Sequence, residues 1–225
     1  GYTCVKEITP FNEPDGNVCE LDQYYQIVKA LDCRFRKDGI RDKVRFNLSD
    51  NTDCRRFFLK GCADNISEYA DMFNSHTYMC GYGTPNGYSF GCEKENNEVV
   101  KATGKRHYVG EFGSNQCVGA TRQKDINRYE RGVLITRNCL NFLNAGAAGT
   151  SYWSLIDQYY NRDAPYDQMQ QLGLWRYKKS VYVGNDAEGC EGDYQPRPQY
   201  YAYSLLTRFI RRGDEVYPLN LQNEY

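Results

Sequence analysis

The sequence predicts an α/β protein in which helices cover a parallel β-sheet. Short apolar strand patterns alternate with helical repeats or loops along the 225-residue chain. This alternation favours parallel strands, because a parallel connection needs a crossover segment that is usually a helix. Periodicity alone does not separate an open doubly wound sheet from a closed barrel. No Gly-x-Gly-x-x-Gly motif follows a predicted strand, so dinucleotide binding has no support.

The first part of the chain contains three predicted strands and one clear helix. The helix follows from Leu21, Val28 and Leu31, which recur at helical spacing, and Gly39 supplies its stop signal. The strands are short apolar runs that end in polar residues. In chain order, the predicted elements are a strand over 4–11, a helix over 20–38, a strand over 43–48, a short helix or loop over 52–68 and a strand over 69–78.

The second part begins with a stretch rich in Gly, Asn and Cys, which predicts a long loop. A later helix is indicated by Ile126, Val133 and Leu140, and the last helix by Leu205 and Phe209. The elements are a loop over 79–97, a strand over 107–112, a helix over 121–144, a strand over 147–156 and a helix over 196–212.

Composition and charge exclude several classes of function. The chain carries 28 basic and 29 acidic residues, and this balance gives no reason to expect a nucleic-acid or membrane-surface partner. The mean hydropathy is −0.77, and the sequence lacks a continuous apolar run of membrane-spanning length. With two His and no Cys-x-x-Cys pair, the sequence predicts no metal site and no cofactor.

Ten cysteines in a polar chain favour an oxidising compartment, so we expect a secreted, extracellular or cell-surface protein. Two pairs are close enough in sequence for local disulfides, namely Cys54 with Cys62 and Cys80 with Cys92. Structural bridging is expected for these cysteines rather than thiol catalysis, because no His is placed to activate one.

Two N-glycosylation sequons begin at Asn47 and Asn65. Asn47 closes the predicted second strand, where its side chain would either carry a glycan or point into the cleft. Both interpretations of Asn47 stay open at this point.

Polar and aromatic residues gather where several predicted strands end. A parallel barrel collects these ends at one face, where barrel enzymes build their sites. Two glutamates, Glu13 and Glu111, would then face one cleft, which is the arrangement that glycoside cleavage requires. Either Glu alone would more often be a solvated or ion-paired residue, so the prediction depends on the pair. The strand-end segments are Asn12-Glu13-Pro14, His76-Thr77-Tyr78, Gly110-Glu111-Phe112-Gly113 and Ser151-Tyr152-Trp153.

In this order, the four segments resemble strands four, six, seven and eight of the large clan of (β/α)8-barrel retaining glycosidases, which includes cellulases and other β-glycanases. The resemblance extends over the whole chain and implies a (β/α)8 TIM barrel. It also implies a hydrolase that cleaves O-glycosidic bonds of a β-linked polysaccharide by double displacement. In that role Glu13 is the acid/base and Glu111 the nucleophile.

The resemblance further implies four substrate-binding residues. Asn12 would hydrogen-bond the sugar 2-hydroxyl, and Trp153 would form an apolar floor under the sugar. Tyr78 would contact the nucleophile, and His76 would line the sugar site.

Three other residues receive less specific interpretations. His107 begins its strand, at the opposite face of a barrel, so a structural role is expected. Asp157 and Tyr159 follow Trp153 and would line a subsite if they face the cleft.

The position of Asn12-Glu13-Pro14 near Gly1 implies that residues 1–225 supply strands four to eight of one barrel. We therefore expect the first three strands upstream of Gly1 or in a separate polypeptide, as a partner for this chain beside the carbohydrate substrate.

Two alternative functions remain at this stage. The chain would serve as a non-catalytic carbohydrate-binding or structural barrel in an extracellular assembly if its glutamates do not react. It would be a transglycosylase if a sugar, rather than water, accepts the glycosyl group.

Overall fold

A five-stranded parallel sheet forms the centre of the protein. The computed structural model describes residues 4–16, 18–52, 56–78, 88–113, 127–159, 169–170, 172–176 and 195–217. Each strand pairs in parallel with the next one along the chain, so the spatial order is the sequence order. The strands are β1 (Glu7–Ile8), β2 (Arg45–Asn51), β3 (Met72–Thr77), β4 (His107–Phe112) and β5 (Thr150–Tyr152).

The connections between these strands are helical. The helices are α1 (Leu21–Lys37), α2 (Arg56–Ile66), α3 (Tyr88–Val100), α4 (Tyr129–Asn144) and α5 (Pro198–Phe209). Short 3₁₀ turns cover Arg41–Lys43 and Lys101–Thr103, and an antiparallel pair, β6 (Gln158–Tyr159) with β7 (Met169–Gln170), follows β5. The predicted parallel α/β class is confirmed as a β/α half-barrel of five strands.

The predicted loop over 79–97 is wrong from residue 88 onward, because α3 begins there. Sequence periodicity missed α3 because its buried face carries mostly polar residues. The buried set is Ser89, Cys92, Glu93, Asn96 and Val100.

A buried hydrogen-bond chain holds α3 against the sheet. His107 in β4 lies 2.9 Å from Glu93 through Nδ1 and 3.0 Å from the Ser75 hydroxyl through Nε2. His107 and Glu93 are both fully buried. Since buried polar groups need hydrogen-bond partners, this contact fixes α3 relative to β3 and β4. His107 therefore has the structural position expected from the sequence.

Apolar packing joins the outer face of the sheet to the other helices. Helix α1 begins at Leu21, where Glu20 and Gln23 form a reciprocal capping box. Its inner face packs with α2 over β2 and β3. A second cluster joins β4 to α4. The fully buried side chains of the first cluster include Tyr24, Val28, Phe46, Leu48, Leu59 and Phe73, and those of the second include Val109, Phe112, Ile135 and Phe142.

A buried ion pair ties the segment after β5 to the start of α5. Arg197 contacts Asp157 through two nitrogen–oxygen pairs at 2.5 and 2.8 Å, and it also donates to the carbonyl of Gly173 at 2.7 Å. Asp157 is 4% exposed and Arg197 2% exposed. Asp157 thus holds the fold together and does not line an open subsite.

The half-barrel has two open edges among the described residues, since no described strand lies beyond β1 or β5. One face of α5 is also uncovered, with Tyr201, Leu205 and Phe209 60–71% exposed. In the described part of the chain, no helix has the length and apolar character needed to cross a membrane.

A cavity of about 1150 Å³ opens where the strands begin. Its lining includes Arg45, Arg106, Tyr108, Leu206 and Tyr217. It lies at the amino ends of the strands, away from the segments that carry the two predicted catalytic glutamates.

Candidate active site

The carboxyl ends of the first four strands bring several ionisable side chains together. They come from four neighbouring strands or the loops that follow them, two of them from β3 and its end, so the parallel sheet itself creates the cluster. Its members are Glu13 after β1, Asp50 in β2, His76 in β3, Tyr78 after β3 and Glu111 in β4.

Glu13 is held in a turn at the end of β1. Its backbone adopts φ +45°, a left-handed conformation that is uncommon for Glu, and its N–H donates to the Asp50 carbonyl at 3.1 Å. Asp15 secures the same turn by accepting hydrogen bonds from the backbone and hydroxyl of Thr52, both at 2.9 Å. These contacts fix the backbone that carries the Glu13 side chain, which is 38% exposed.

His76 occupies the centre of the cluster. Its Nδ1 lies 2.9 Å from Glu13 Oε1 and 3.4 Å from Glu111 Oε2, while its Nε2 lies 3.1 Å from Asp50 Oδ1. Burial alone would lower the pKa of His76. Hydrogen bonds to Asp50 and Glu13 outweigh that effect, and with the nearby charges they raise the pKa to about 10. The ring is therefore an imidazolium at neutral pH, and both of its nitrogens donate.

Glu111 lies deeper than Glu13, with 17% of its side chain exposed. Tyr78 donates a hydrogen bond from its hydroxyl to Glu111 Oε2 at 2.7 Å. Burial raises the pKa of Glu111, and the charge of His76 and the Tyr78 hydrogen bond oppose that rise. Burial and the negative charge of Glu111 raise the pKa of Tyr78 well above its usual range, so Tyr78 keeps its proton as a donor.

The two glutamates are close to each other. An oxygen of Glu13, an oxygen of Glu111 and one His76 nitrogen all lie within 4.8 Å of one another. A carboxylate pair roughly 5–5.5 Å apart suits direct attack on a sugar carbon, whereas roughly 6.5–9.5 Å leaves room for an intervening water. An approach of less than 4.8 Å between the nearest oxygens is compatible with the shorter separation.

Gly113 lies between Tyr78 and the backbone of Trp153. Trp153 follows β5 directly and is half-buried, and its backbone N–H donates to Phe112 O at 2.8 Å. A side chain at Gly113 would come within 3.2 Å of Tyr78 Cε1 and 3.1 Å of Trp153 O. Gly113 therefore permits the close approach of Tyr78.

The structure brings Glu13, His76, Tyr78 and Glu111 into direct contact. Asn12 is exposed beside Glu13.

Sequence reasoning missed Asp50. The predicted strand ended at residue 48, whereas β2 continues to Asn51, so Asp50 lies at a strand end. The available signal was the run Ser49-Asp50-Asn51, three polar residues after an apolar strand.

A metal ion is a second chemical possibility for Glu13, His76 and Glu111, whose ligand atoms are close enough to share one. A metal-binding His must be neutral at the ligating nitrogen. The pKa of His76, at about 10, keeps a proton on Nδ1 at neutral pH, and that proton already joins the ring to Glu13. A metal ion bound through Nδ1 would have to displace that proton.

Glycosylation at Asn47 is contradicted by the structure. Asn47 is the third residue of β2 and does not close the strand; it is 4% exposed, and its Nδ2 donates to Glu7 at 3.0 Å. A glycan would have to replace that buried hydrogen bond. Asn65 is exposed on α2, so its use as a glycan acceptor stays a prediction.

The predicted local disulfides are not supported, because no disulfide links two of the described cysteines. Cys54 and Cys80 lie outside the described residues. Cys62 is a fully buried thiol that packs in the first apolar cluster. Cys92 Sγ accepts a hydrogen bond from Arg56 at 3.1 Å.

No described protein family matches the chain, and no curated protein matches its sequence. Solved structures do match its fold. A GH39 β-xylosidase from Caulobacter crescentus is similar over 91% of this chain, with a TM-score of 0.61 and 17% identity. An α-L-arabinofuranosidase from Thermotoga maritima is similar over 89%, with a TM-score of 0.56 and 11% identity. A GH26 endo-β-1,4-mannanase from Bacillus sp. JAMB-750 is similar over 89%, with a TM-score of 0.56 and 13% identity.

The chain spans 41%, 39% and 49% of the lengths of these three structures. It therefore has a parallel β/α fold that matches part of the (β/α)8 barrel of glycoside hydrolases.

Proposed function

We propose that this chain carries the catalytic pair of a retaining glycoside hydrolase, with Glu13 as the acid/base and Glu111 as the nucleophile. The observation that carries the proposal is the approach of a Glu13 oxygen to within 4.8 Å of a Glu111 oxygen at the carboxyl end of a parallel sheet. The substrate is a β-linked polysaccharide, as the resemblance of the four strand-end segments implies.

The first step uses both glutamates at once. Protonated Glu13 gives its proton to the glycosidic oxygen, while the Glu111 carboxylate attacks the anomeric carbon and the bond to the leaving sugar breaks. Tyr78 keeps the attacking carboxylate oriented through its 2.7 Å hydrogen bond.

In the second step Glu13, now a carboxylate, removes a proton from water. The resulting hydroxide attacks the anomeric carbon, and Glu111 leaves as a carboxylate. Trp153 supplies an apolar face for the sugar, and Asn12 is exposed where a sugar hydroxyl can reach it.

The activities of the similar structures support the glycan class of substrate without selecting one sugar. These are enzymes for xylosides, arabinofuranosides and mannans. We further propose that more β/α units complete the barrel along the open edges at β1 and β5 and over the apolar face of α5. Secretion is part of the same proposal and is supported by the ten cysteines and the exposed Asn65 sequon.

Replacement of Glu111 by Gln tests the proposal. A glutamine keeps the shape but cannot form the covalent intermediate, so we expect kcat to fall by roughly 10⁴-fold or more, a loss typical of a missing nucleophile. Hydrolysis is measured on a panel of β-glucan, xylan and mannan with full-length protein. Glu98→Gln is the matched control, because Glu98 is an exposed residue of α3.

A mechanism-based fluorosugar should label Glu111, and mass spectrometry of the labelled peptide identifies the site. Products that retain the anomeric configuration agree with the close approach of the two carboxyl groups. Unchanged turnover in Glu111→Gln would refute the assignment. Tight glycan binding without labelling or turnover would favour the non-catalytic carbohydrate-binding role, and sugar transfer in place of hydrolysis would identify a transglycosylase.

A further inference from the structure

We propose that Asp50 is a positioning residue of this site, which holds the His76 ring between Glu13 and Glu111. The proposal rests on the proposed function, since it assigns to Asp50 the orientation of the acid/base glutamate. Asp50 would act through His76 and need not touch the substrate.

The backbone of β2 is shaped to present Asp50. Ser49 pairs with Asn74 on β3 and Asn51 pairs with the next residue, Ser75, so Asp50 is an extra residue in a bulge. Bulges of this kind redirect a side chain, and they are common beside active sites. Ser49 and Asp50 also have φ of +81° and +54°, a region that few residues other than Gly adopt.

Side chains on the helix-facing side hold this bulge. The hydroxyls of Ser49 and Ser75 donate to Asn51 Oδ1 at 2.8 and 2.7 Å. On β4, a Cβ at Gly110 would lie 2.4 Å from Asn74 Oδ1 and 3.2 Å from Asp50 Oδ1, so the missing side chain leaves room for both groups. Neighbouring strands therefore fix Asp50 from both sides of the sheet.

Asp50 controls Glu13 through two separate groups. Its carbonyl accepts the Glu13 backbone N–H at 3.1 Å, and its carboxylate lies 3.1 Å from His76 Nε2. The other nitrogen of the same ring reaches Glu13 Oε1 at 2.9 Å. One residue thus sets both the backbone of the acid/base glutamate and the ring that contacts its carboxyl group.

The groups that face His76 explain its charge. Asp50 approaches from β2, Glu13 from the loop after β1 and Glu111 from β4. The neutral Tyr78 hydroxyl lies beside Glu111, in the segment that follows β3. The ring is 1% exposed, so solvent cannot replace these partners. Their hydrogen bonds and charges raise the pKa of His76 to about 10 despite burial.

The charged ring has a defined effect on the acid. Its Nδ1–H occupies Glu13 Oε1, which leaves Oε2 to carry the proton for the leaving group. Without the carboxylate of Asp50, the ring would lose its proton at lower pH. A neutral ring with a bare Nδ1 would no longer donate to Glu13.

The test compares wild-type protein with Asp50→Asn in the full chain. Asn tolerates the left-handed backbone at this position, so the substitution removes charge while it preserves the bulge. We expect kcat/KM to fall by about 10- to 100-fold, part of the contribution of a well-placed general acid. A new descending limb should appear in the pH profile well below pH 10, where His76 now loses its proton.

Asp71→Asn is the matched control. Asp71 accepts a hydrogen bond from the Phe46 backbone at 2.8 Å and pairs with Arg41, near the amino end of β3. Its replacement should lower stability without altering the pH profile.

Imidazole NMR supplies a readout that does not depend on activity. The chain contains two His, so the spectrum contains two rings, and the signal of His76 is assigned by its loss in His76→Gln. In wild-type protein His76 should stay charged well above pH 7, with both ring N–H groups protected from exchange. Asp50→Asn should move its titration to lower pH.

A neutral His76 ring at pH 7 in the wild type would overturn the inference, even if Asp50→Asn fails to fold. An unchanged His76 titration in folded Asp50→Asn would overturn it as well. If the NMR shift occurs but no glycan is cleaved by wild-type protein, the proposed function fails while the placement of His76 by Asp50 stands.

Discussion

Tyr78→Phe removes one hydroxyl from the proposed active site and leaves the ring in place. The lost contact is the hydrogen bond from Tyr78 to Glu111 Oε2 at 2.7 Å, a length typical of bonds to a charged acceptor. Such bonds contribute about 1.5–3 kcal/mol. Because 17% of the Glu111 side chain is exposed, water replaces part of the interaction, and the lower value applies. A loss of about 1.5 kcal/mol predicts a decrease of roughly tenfold in kcat/KM.

The same change also predicts a shift in the pH profile. Burial raises the pKa of Glu111, and the Tyr78 hydrogen bond lowers it, so removal of the hydroxyl raises that pKa further. Glu111 is active as a nucleophile only when ionised. The acid limb of kcat/KM should therefore move to higher pH in Tyr78→Phe.

The assay is initial hydrolysis rate against pH for wild type, Tyr78→Phe and Tyr108→Phe. Tyr108 is a matched control because its hydroxyl contacts Ser151 at 2.6 Å near the beginning of β4, the strand that carries Glu111. Tyr108→Phe should keep the acid limb of the wild type. The reasoning is refuted if Tyr78→Phe retains both the wild-type kcat/KM and the wild-type acid limb.

Two further predictions concern stability. Asp157→Ala leaves Arg197 buried without its bidentate partner, so the free energy of unfolding should fall by about 3–5 kcal/mol in urea denaturation. Asp64→Ala, which breaks an exposed pair, should cost about 1 kcal/mol or less, and equal losses in both variants would contradict the argument. His76 has a pKa raised to about 10 in the folded state against about 6.5 when unfolded, so its stabilisation is complete below pH 6.5 and disappears as pH rises through 10. Unfolding free energies at pH 6, 8 and 10 should decline less in His76→Gln, and parallel curves would exclude this contribution.

The strands that carry regular apolar patterns could be predicted from the sequence. Strand β4 was predicted over residues 107–112, as observed. Its apolar residues Val109 and Phe112 pack in a buried cluster. Helix α1 was placed within one residue at each end, since its apolar spacing and capping residues agree. In these elements the apolar residues of the sequence are the residues that pack in the core.

The failures have physical causes. Helix α3 has a polar buried face, which a search for apolar periodicity cannot detect. Asp50 lies in a bulge with left-handed backbone, and Asp is not a strong signal for either a strand or a bulge. Asn47 belongs to a sequon, but the pattern of three residues gives no information on burial.

The candidate site was predictable to the extent that the glutamates stand at strand ends. The sequence placed Glu13 and Glu111 at one face because parallel strands share their direction. It did not indicate that His76 would contact both glutamates, because that contact depends on the register shift between Ser75 and His76 in the pairing of β3 with β4.

The polar residues buried beneath α3 affect the heat capacity of unfolding. Apolar surface raises the heat capacity of unfolding, whereas polar surface lowers it. Detachment of α3 exposes Glu93, Asn96 and His107 beside Cys92 and Val100, so the polar groups should offset part of the heat-capacity change of this step. The apolar clusters beneath α1 and α4 weaken in the cold, and the opening free energy obtained from amide exchange should therefore fall less on cooling for α3 than for α1 and α4.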